Sequence, residues 1–267
     1  MLSAFVVCAF FSACSKNSDT TVAATVLKHW DVALNPKFEL PGLASRTETG
    51  TASVDLMSDL TVKYTLTVVG LASTDAMTAG HIHVGDAVTS GPVILGFSPV
   101  FTNGTATGSV TLRSTLSDSL KNGSAEFYVN VHSSQAPGGL MRGQLNNPVI
   151  YAVDVAMSGA NENPAVTTTA TGITTLRLAT DKTLYAKVSV SGLEANDTVT
   201  LAHIHAGAVG TNGSVIIPLI GAPADFNTNL KLAPLTDANA TLLQTGQVYA
   251  NIHSKRNPGG ILRGQIR

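Results

Sequence analysis

The stretch LTVKYTLTV at residues 60–68 alternates apolar and polar side chains from end to end. Successive side chains of an extended chain point to opposite faces, so the alternation gathers the apolar ones on one face and predicts a half-buried β-strand. The stretch LYAKVSV at residues 184–190 alternates in the same way. Similar short segments separated by turn residues predict roughly seven or eight strands in each half of the chain.

Turn and helix signals complete this pattern. The dipeptides Asn103-Gly104, Asn122-Gly123 and Asn212-Gly213 are of the kind that tight turns prefer. The segments at 114–123 and 236–246 each predict one short helix, the first with Ser114 as N-cap and Gly123 after its last turn. We therefore predict an all-β fold of two homologous antiparallel Greek-key domains, sandwiches or barrels, each with one short helix.

Two domains are predicted because the sequence contains an internal repeat. VNVHSSQAPGGLMRGQL at 129–145 returns as ANIHSKRNPGGILRGQI at 250–266, and His-Ile-His at 81–83 returns at 203–205. Self-similarity over such a distance indicates a duplicated domain of ordinary size. We place the first domain at 28–147 and the second at 148–267, after a Ser/Asn/Thr-rich tether at 15–27.

The N-terminal stretch predicts an export signal. MLSAFVVCAFFSAC at 1–14 is an apolar run too short to span a bilayer. Its last four residues, Phe11-Ser12-Ala13-Cys14, resemble the lipobox of bacterial lipoproteins, which implies a signal peptide at 1–14 and lipidation of Cys14. An ordinary secretory signal cleaved near Ala13 is the alternative. We expect an exported protein, attached to a membrane through Cys14, in the bacterial cell envelope as an outer-membrane lipoprotein or at the cell surface.

Composition excludes some classes of function. The net charge is −1, only 12% of the residues are charged, and no Lys/Arg cluster stands out, so nucleic-acid binding is not predicted. Both cysteines lie within residues 1–14, which leaves the two domains without a disulfide. No Gly-x-Ser-x-Gly elbow, catalytic cysteine or phosphate loop is present, and the sequence therefore favours a role that is not enzymatic.

Six of the seven histidines follow the repeat. His81 and His83 share one strand face, and His132 ends a second strand-like run. If these strands face each other across the sandwich or its mouth, three ring nitrogens converge and are enough to bind zinc or copper, with a fourth position open. The second copy repeats the set with His203, His205 and His253. The alternative is that each histidine is a hydrogen-bonding pin for a loop or a buried arginine.

Two arginines and two glutamates recur beside the histidines. Arg142 and Arg263 stand in the Arg-Gly-Gln segments, and Glu39 and Glu162 recur in register near the start of each copy. An arginine here either guides an anion or makes a structural contact. We expect Glu39–Arg142 and Glu162–Arg263 pairs that hold the first loop onto the last strand.

Several motifs together resemble a known family. MSGANENPAVTTTATG at 157–172, AHIHAG at 202–207 and NIHSKRNPGGILRGQI at 251–266 resemble the CHRD domain, the repeated domain of chordin that also occurs in many bacterial secreted proteins. In the first copy GHIHVG at 80–85 and the segment at 131–145 carry the likeness. The resemblance implies an all-β extracellular module, for which we expect a binding or scaffold role toward an unidentified extracellular protein or ligand.

A more distant likeness concerns copper. The His-x-His strand, the later Val131-His132 and the downstream Arg142 resemble the copper site of the copper–zinc superoxide dismutase sandwich. The chain lacks a bridging histidine, a zinc-ligand loop and a cysteine pair, so the likeness implies copper ligands more than it implies dismutase chemistry. A copper- or zinc-binding domain pair, with a redox or buffering role, is accordingly the alternative to a scaffold.

Overall fold

The computed structural model describes residues 23–123 and 125–267. The predicted signal peptide, Cys14 and the tether up to residue 22 lie outside this part of the chain. Both described α-helices have nine residues. Within the same residues, no helix combines the length and the apolar character needed to cross a bilayer.

The strands and helices of the two halves follow the same order. In the first half they are β1 Val26–Leu34, β2 Thr49–Met57, β3 Thr61–Val69, β4 Met77–Val84, β5 Val93–Phe97, β6 Thr105–Thr111, α1 Ser114–Asn122, β7 Phe127–Ser133 and β8 Met141–Gln144. In the second half they are β9 Val149–Ser158, β10 Thr171–Ala179, β11 Leu184–Ser191, β12 Val199–Ala206, β13 Val215–Ile220, β14 Leu230–Lys231, α2 Asp237–Thr245, β15 Val248–Ser254 and β16 Leu262–Gln265.

Each half is an antiparallel two-layer fold. The first half has two four-stranded sheets, ordered β1-β2-β3-β6 and β5-β4-β7-β8. Strand β6 returns beside β3 after β4 and β5 have passed to the other sheet, which is the crossing connection of a Greek key. The second half repeats both sheets, and pairing of Arg263 with Ser158 joins them into one eight-stranded sheet. The predicted all-β fold class is confirmed.

The alternation at 60–68 decides which face of β3 is buried. Val62, Tyr64 and Leu66 point into the core between the two sheets, where they meet residues such as Ile82. Leu60 was predicted to share this face, and that is wrong. It has a positive φ of 64° and lies in the turn before β3, where the Asp59 carboxylate accepts a hydrogen bond from the Thr61 amide.

The predicted turns and helices are mostly confirmed. Asn103 and Gly104 both have positive φ, 50° and 79°, and Thr102 pairs with Thr105 around them as in a tight hairpin. Gly123 ends α1 in the left-handed conformation. Ser114 is not the N-cap, because it is already the first helical residue and Arg113 holds the extended cap position. In α2, Thr236 caps the helix by accepting from the Asn239 amide.

The two halves pack against each other. A small apolar cluster between them contains Ala87 and Val88 from the first half and Val149, Ala179 and Tyr185 from the second. Beside it the side chain of Arg177 is fully buried. Its Nη1 lies 2.7 Å from Asp154 Oδ1, and its Nη2 donates to the Glu39 carbonyl oxygen at 2.7 Å. A charge buried in this way is stable only while these partners stay in place, so the contact fixes the two domains together.

Candidate metal centres

The three histidines of the first domain lie on neighbouring strands of one sheet. β4 pairs with β7 so that His81 is opposite Asn130 and His83 is opposite Tyr128, while His132 lies opposite Ala79. The two strands are therefore neighbours in one sheet and do not face each other across the sandwich or its mouth, which was the condition stated from the sequence for the rings to converge. Between the two histidines, Ile82 points into the core and is fully buried. The imidazoles consequently project from the outer face of the sheet, beneath loops, and not from the face that packs against the other sheet.

The three rings nevertheless meet. His81 Nδ1 is 2.9 Å from His132 Nε2, and the ring centroids of His81 and His83 are 5.7 Å apart. One nitrogen from each of the three residues lies within 4.8 Å of the other two. The rings are half-buried. Such spacing lets one ion of a transition metal contact all three after small side-chain movements.

The second domain repeats this geometry. His203 Nδ1 is 3.3 Å from His253 Nε2, and the His203 and His205 ring centroids are 5.7 Å apart. One nitrogen from each of these three residues also lies within 4.8 Å of the others. The second histidine set predicted from the sequence is thus brought together by the equivalent strands β12 and β15.

Backbone carbonyls orient two of the three rings in each domain. His83 Nδ1 is 2.9 Å from the Gly91 oxygen, and His132 Nδ1 is 3.0 Å from the Pro137 oxygen. A carbonyl oxygen only accepts, so each Nδ1 carries the proton and each Nε2 is left with a lone pair. This is the arrangement in which histidine binds a metal through Nε2. Gly213 and Pro258 hold the rings of the second domain in the same way, at 3.0 and 2.9 Å.

In each domain the Nε2 atom of one histidine has no hydrogen-bond partner among the described residues. His83 Nε2 and His205 Nε2 are buried and lack a hydrogen-bond partner. A buried acceptor without a partner costs about 1–3 kcal/mol. The same unmet atom occurs at the same position of both domains, and a metal ion would satisfy it.

Burial also favours the neutral form of four of the six imidazoles. It lowers the pKa of His81 and His83 below the usual histidine value, and the adjacent ring of His132 lowers both further. In the second domain burial lowers the pKa of His203 and His253. Neutral rings are the form that binds metal.

A tyrosine that the sequence analysis missed packs on one histidine of each site. The Tyr128 ring is stacked on His83 with centroids 4.8 Å apart and planes 11° apart, and the Arg142 guanidinium lies 3.4 Å from the other face. In the second domain Tyr249 is stacked between His205, at 5.0 Å, and Arg263, at 3.5 Å. The signal was present, since each tyrosine precedes the last histidine of its set by an even number of strand residues and shares its face.

The two arginines hold the loops that cover the sites. Arg142 donates to Gln144 Oε1 at 2.9 Å, to the Thr89 oxygen at 3.0 Å and to the Asp86 oxygen. Both arginines are almost fully buried, and Arg263 donates to the Ala208 oxygen at 2.8 Å. These contacts give them the structural role, and their donors point at loop carbonyls and not at an open anion site.

The predicted glutamate–arginine pairs are wrong. The Glu39 carboxylate is bound instead by Asn130 Nδ2, at 3.0 and 3.1 Å, and Glu162 by Asn251 Nδ2, at 3.2 and 3.0 Å. The loop carbonyls have taken up the guanidinium groups, which explains why no ion pair forms. Burial raises the pKa of Glu39 and of Glu162 to about 7. The first loop is still held onto a late strand, through asparagine.

The donor set fits some metals and not others. Three neutral imidazole nitrogens and no carboxylate suit copper and zinc, whereas magnesium and calcium need oxygen ligands. In each set the first histidine offers Nδ1 and the other two offer Nε2. A metal held by three protein ligands keeps a fourth position for water or another small ligand.

Comparison with known proteins identifies both halves. The family model of the CHRD domain matches residues 30–145 and residues 153–266. Each match contains one complete set of three histidines. A comparison with curated proteins and one with solved structures gave no significant match.

Proposed function

The chain belongs to the CHRD domain family, with two copies of the domain in tandem. We propose that it is a binding module in which each domain holds one transition-metal ion. The ligands are His81, His83 and His132 in the first domain. In the second domain they are His203, His205 and His253. Copper is preferred over zinc, because sites with nitrogen ligands bind divalent copper more tightly.

One observation carries the proposal. His83 Nε2 and His205 Nε2 are buried, without a hydrogen-bond partner, and lie beside two further imidazoles in each domain. A set of hydrogen-bonding pins explains the Nδ1 atoms, which bind carbonyls, but it leaves these Nε2 atoms without a function. Metal binding accounts for both nitrogens of His83 and of His205.

Metal analysis of the purified chain tests the proposal. The protein is incubated with Cu²⁺ or Zn²⁺, passed through a desalting column and analysed for bound metal. We expect two ions per chain, one after His81, His83 and His132 are all changed to alanine, and none when the second set is changed as well. His29→Ala is the matched control, since this seventh histidine lies on the sheet surface between Asp31 and Asp55. A folded wild-type chain that binds no metal would refute the proposal.

If metal is absent, the tandem domains remain a scaffold for an extracellular partner. The surface between the domains favours such a role, because the buried Arg177 fixes their relative position and so presents both outer surfaces in one geometry. A redox role at a copper centre, related to the dismutase likeness, is a further possibility that depends on metal first being bound.

The N-terminal stretch supports a proposal about the place of action. We propose export and lipid attachment at Cys14, supported by the apolar run at 1–14 and its lipobox-like end. Labelling of bacterial cells that express the chain with a radioactive fatty acid tests this. We expect label on the wild type and none on Cys14→Ala. Export of an unlabelled wild-type protein cleaved near Ala13 would instead support the ordinary secretory signal.

A further inference from the structure

The two candidate centres share their ligands but differ in the loop that covers them. In the first domain this loop is 85–91, which we call the first cover loop. In the second it is 207–213, the second cover loop. Each contains the glycine whose carbonyl oxygen orients a metal-facing histidine, Gly91 for His83 and Gly213 for His205.

The first cover loop is buried between the domains. Ala87 and Val88 are 1% and 4% exposed, and they pack against Tyr185 of the second domain. Asn229 Nδ2, also from the second domain, donates to Thr89 Oγ1 at 2.8 Å. Movement of this loop therefore requires the interface between the domains to open.

The second cover loop is on the surface. Val209 stands where the first loop has Ala87, and it is 78% exposed. The hydrogen bonds of this loop to Asn163 stay within the second domain, from Asn163 Nδ2 to the Gly210 oxygen and from Asn212 Nδ2 to the Asn163 oxygen, both at 2.7 Å. Of the hydrogen bonds among the described residues, none joins this loop to the first domain. It can open locally while the remainder of the fold stays closed.

We propose that the centre of the second domain exchanges its metal with the surroundings, whereas the centre of the first domain retains it. This inference rests on the proposed function, because it needs both centres to bind. Metal leaves when a histidine ligand turns away, and His83 and His205 are each held by their cover loop. The free energy of opening the cover loop is therefore part of the barrier to metal release. For the first cover loop this barrier also includes the free energy of opening the domain interface.

Release kinetics test the inference. The full chain is loaded with two Cu²⁺ ions and mixed with excess EDTA, and loss of bound copper is followed with time. We expect two phases of equal amplitude, with rates that differ by roughly ten-fold or more. The fast phase disappears in His203→Ala/His205→Ala, and the slow phase disappears in His81→Ala/His83→Ala.

Variants of the interface connect the slow phase to its cause. Ala87→Val introduces into the crowded interface the valine that the second cover loop has at the equivalent position, Val209. Asn229→Ala removes the hydrogen bond to Thr89. Both are expected to accelerate the slow phase, Asn229→Ala by roughly five-fold, as one hydrogen bond allows. Val209→Ala is the matched control and leaves both rates unchanged. Asn229→Ala keeps the test decisive should Ala87→Val disturb folding.

The outcomes separate this inference from the proposed function. A chain that takes up two ions and releases both in a single phase overturns the inference but leaves the metal centres. A slow phase that Asn229→Ala and a folded Ala87→Val do not alter also overturns it. A chain that takes up no copper refutes the proposed function itself.

Discussion

His83 Nδ1 donates a hydrogen bond to the carbonyl oxygen of Gly91, 2.9 Å away. The bond fixes the proton on one side of the ring and leaves the lone pair of Nε2 facing His81 and His132. Gly213 binds His205 in the same way in the second domain. A backbone group, which substitution of neighbouring side chains does not remove, thus prepares one ligand of each centre.

Metal is expected to stabilise the fold. An ion that binds only the folded chain raises the free energy of unfolding by about 2.7 kcal/mol at a concentration one hundred times its Kd. Thermal unfolding followed with and without excess Zn²⁺, which is not redox-active, measures the effect. We expect a higher midpoint that chelator reverses. The variant with all six ligands changed to alanine should show no response, and an equal response in that variant would mean that the metal binds elsewhere.

The tyrosine stack is expected to position its histidine. Tyr128→Leu removes the ring between His83 and Arg142 and should weaken metal binding in the first domain by roughly 10–100-fold. Tyr128→Phe keeps the ring, losing only the hydroxyl that accepts from the Gly91 amide at 3.2 Å, and should retain most of the affinity. Titration calorimetry on a chain whose second site has been removed separates the two. Equal affinities for the leucine variant and the wild type would contradict a positioning role.

The asparagine partner makes Glu162 important for stability. Glu162→Ala leaves Asn251 Nδ2 buried without an acceptor, for which we expect a loss of about 1–3 kcal/mol in the free energy of unfolding. Glu162→Gln keeps an acceptor and should cost less. Urea unfolding measures both variants. If the glutamine variant loses as much as the alanine variant, the carboxylate charge is what matters and the influence of Arg263 has been underestimated.

The raised pKa of the two glutamates predicts a pH dependence. In the folded chain Glu39 and Glu162 have pKa values of about 7, above the usual value, so the folded state binds more protons than the unfolded state between about pH 4.5 and pH 7. Their contribution to the free energy of unfolding should therefore fall as pH rises through this range, by at most about 3 kcal/mol for each group.

Variants isolate that contribution from the buried histidines whose pKa is lowered, which act in the opposite direction: His81, His83, His203 and His253. Glu39→Gln and Glu162→Gln should each flatten the fall relative to wild type, when unfolding is measured from pH 4.5 to pH 8 in chelator. Glu194→Gln, at an exposed pair with Arg256, is the control and should not flatten it. Parallel pH curves for the wild type and both buried-site variants would show that these carboxyls ionise normally.

Local pattern was enough to predict much of the fold. The alternation at 60–68 and the Asn103-Gly104 turn depend on neighbours in sequence, and both are as predicted except at Leu60. The histidine sets could also be found, because duplication marks them and a strand gathers alternate residues on one face. That β4 and β7 are neighbours in one sheet could not be predicted, because it depends on pairing between strands far apart in the chain.

The other incorrect predictions concern contacts that cannot be recognised from side-chain types. The charges of Glu39 and Arg142 are opposite, so the sequence suggests a pair. In the structure, backbone carbonyls of the first cover loop bind the arginine instead. Residue types do not reveal such partners, because every residue has a backbone carbonyl. Burial of the first cover loop could not be predicted for a similar reason. It depends on how the second domain packs against the first, which the sequence repeat does not indicate.

X-ray absorption spectroscopy of the copper-loaded chain tests the central claim most directly. With two ions bound per chain, we expect each copper to have three nitrogen neighbours at about 2.0 Å, with the outer-shell scattering typical of imidazole. The spectrum should lose half its intensity when His81, His83 and His132 are replaced. Copper surrounded by oxygen without imidazole scattering, or a spectrum that these replacements leave unchanged, would contradict a three-histidine centre in each domain.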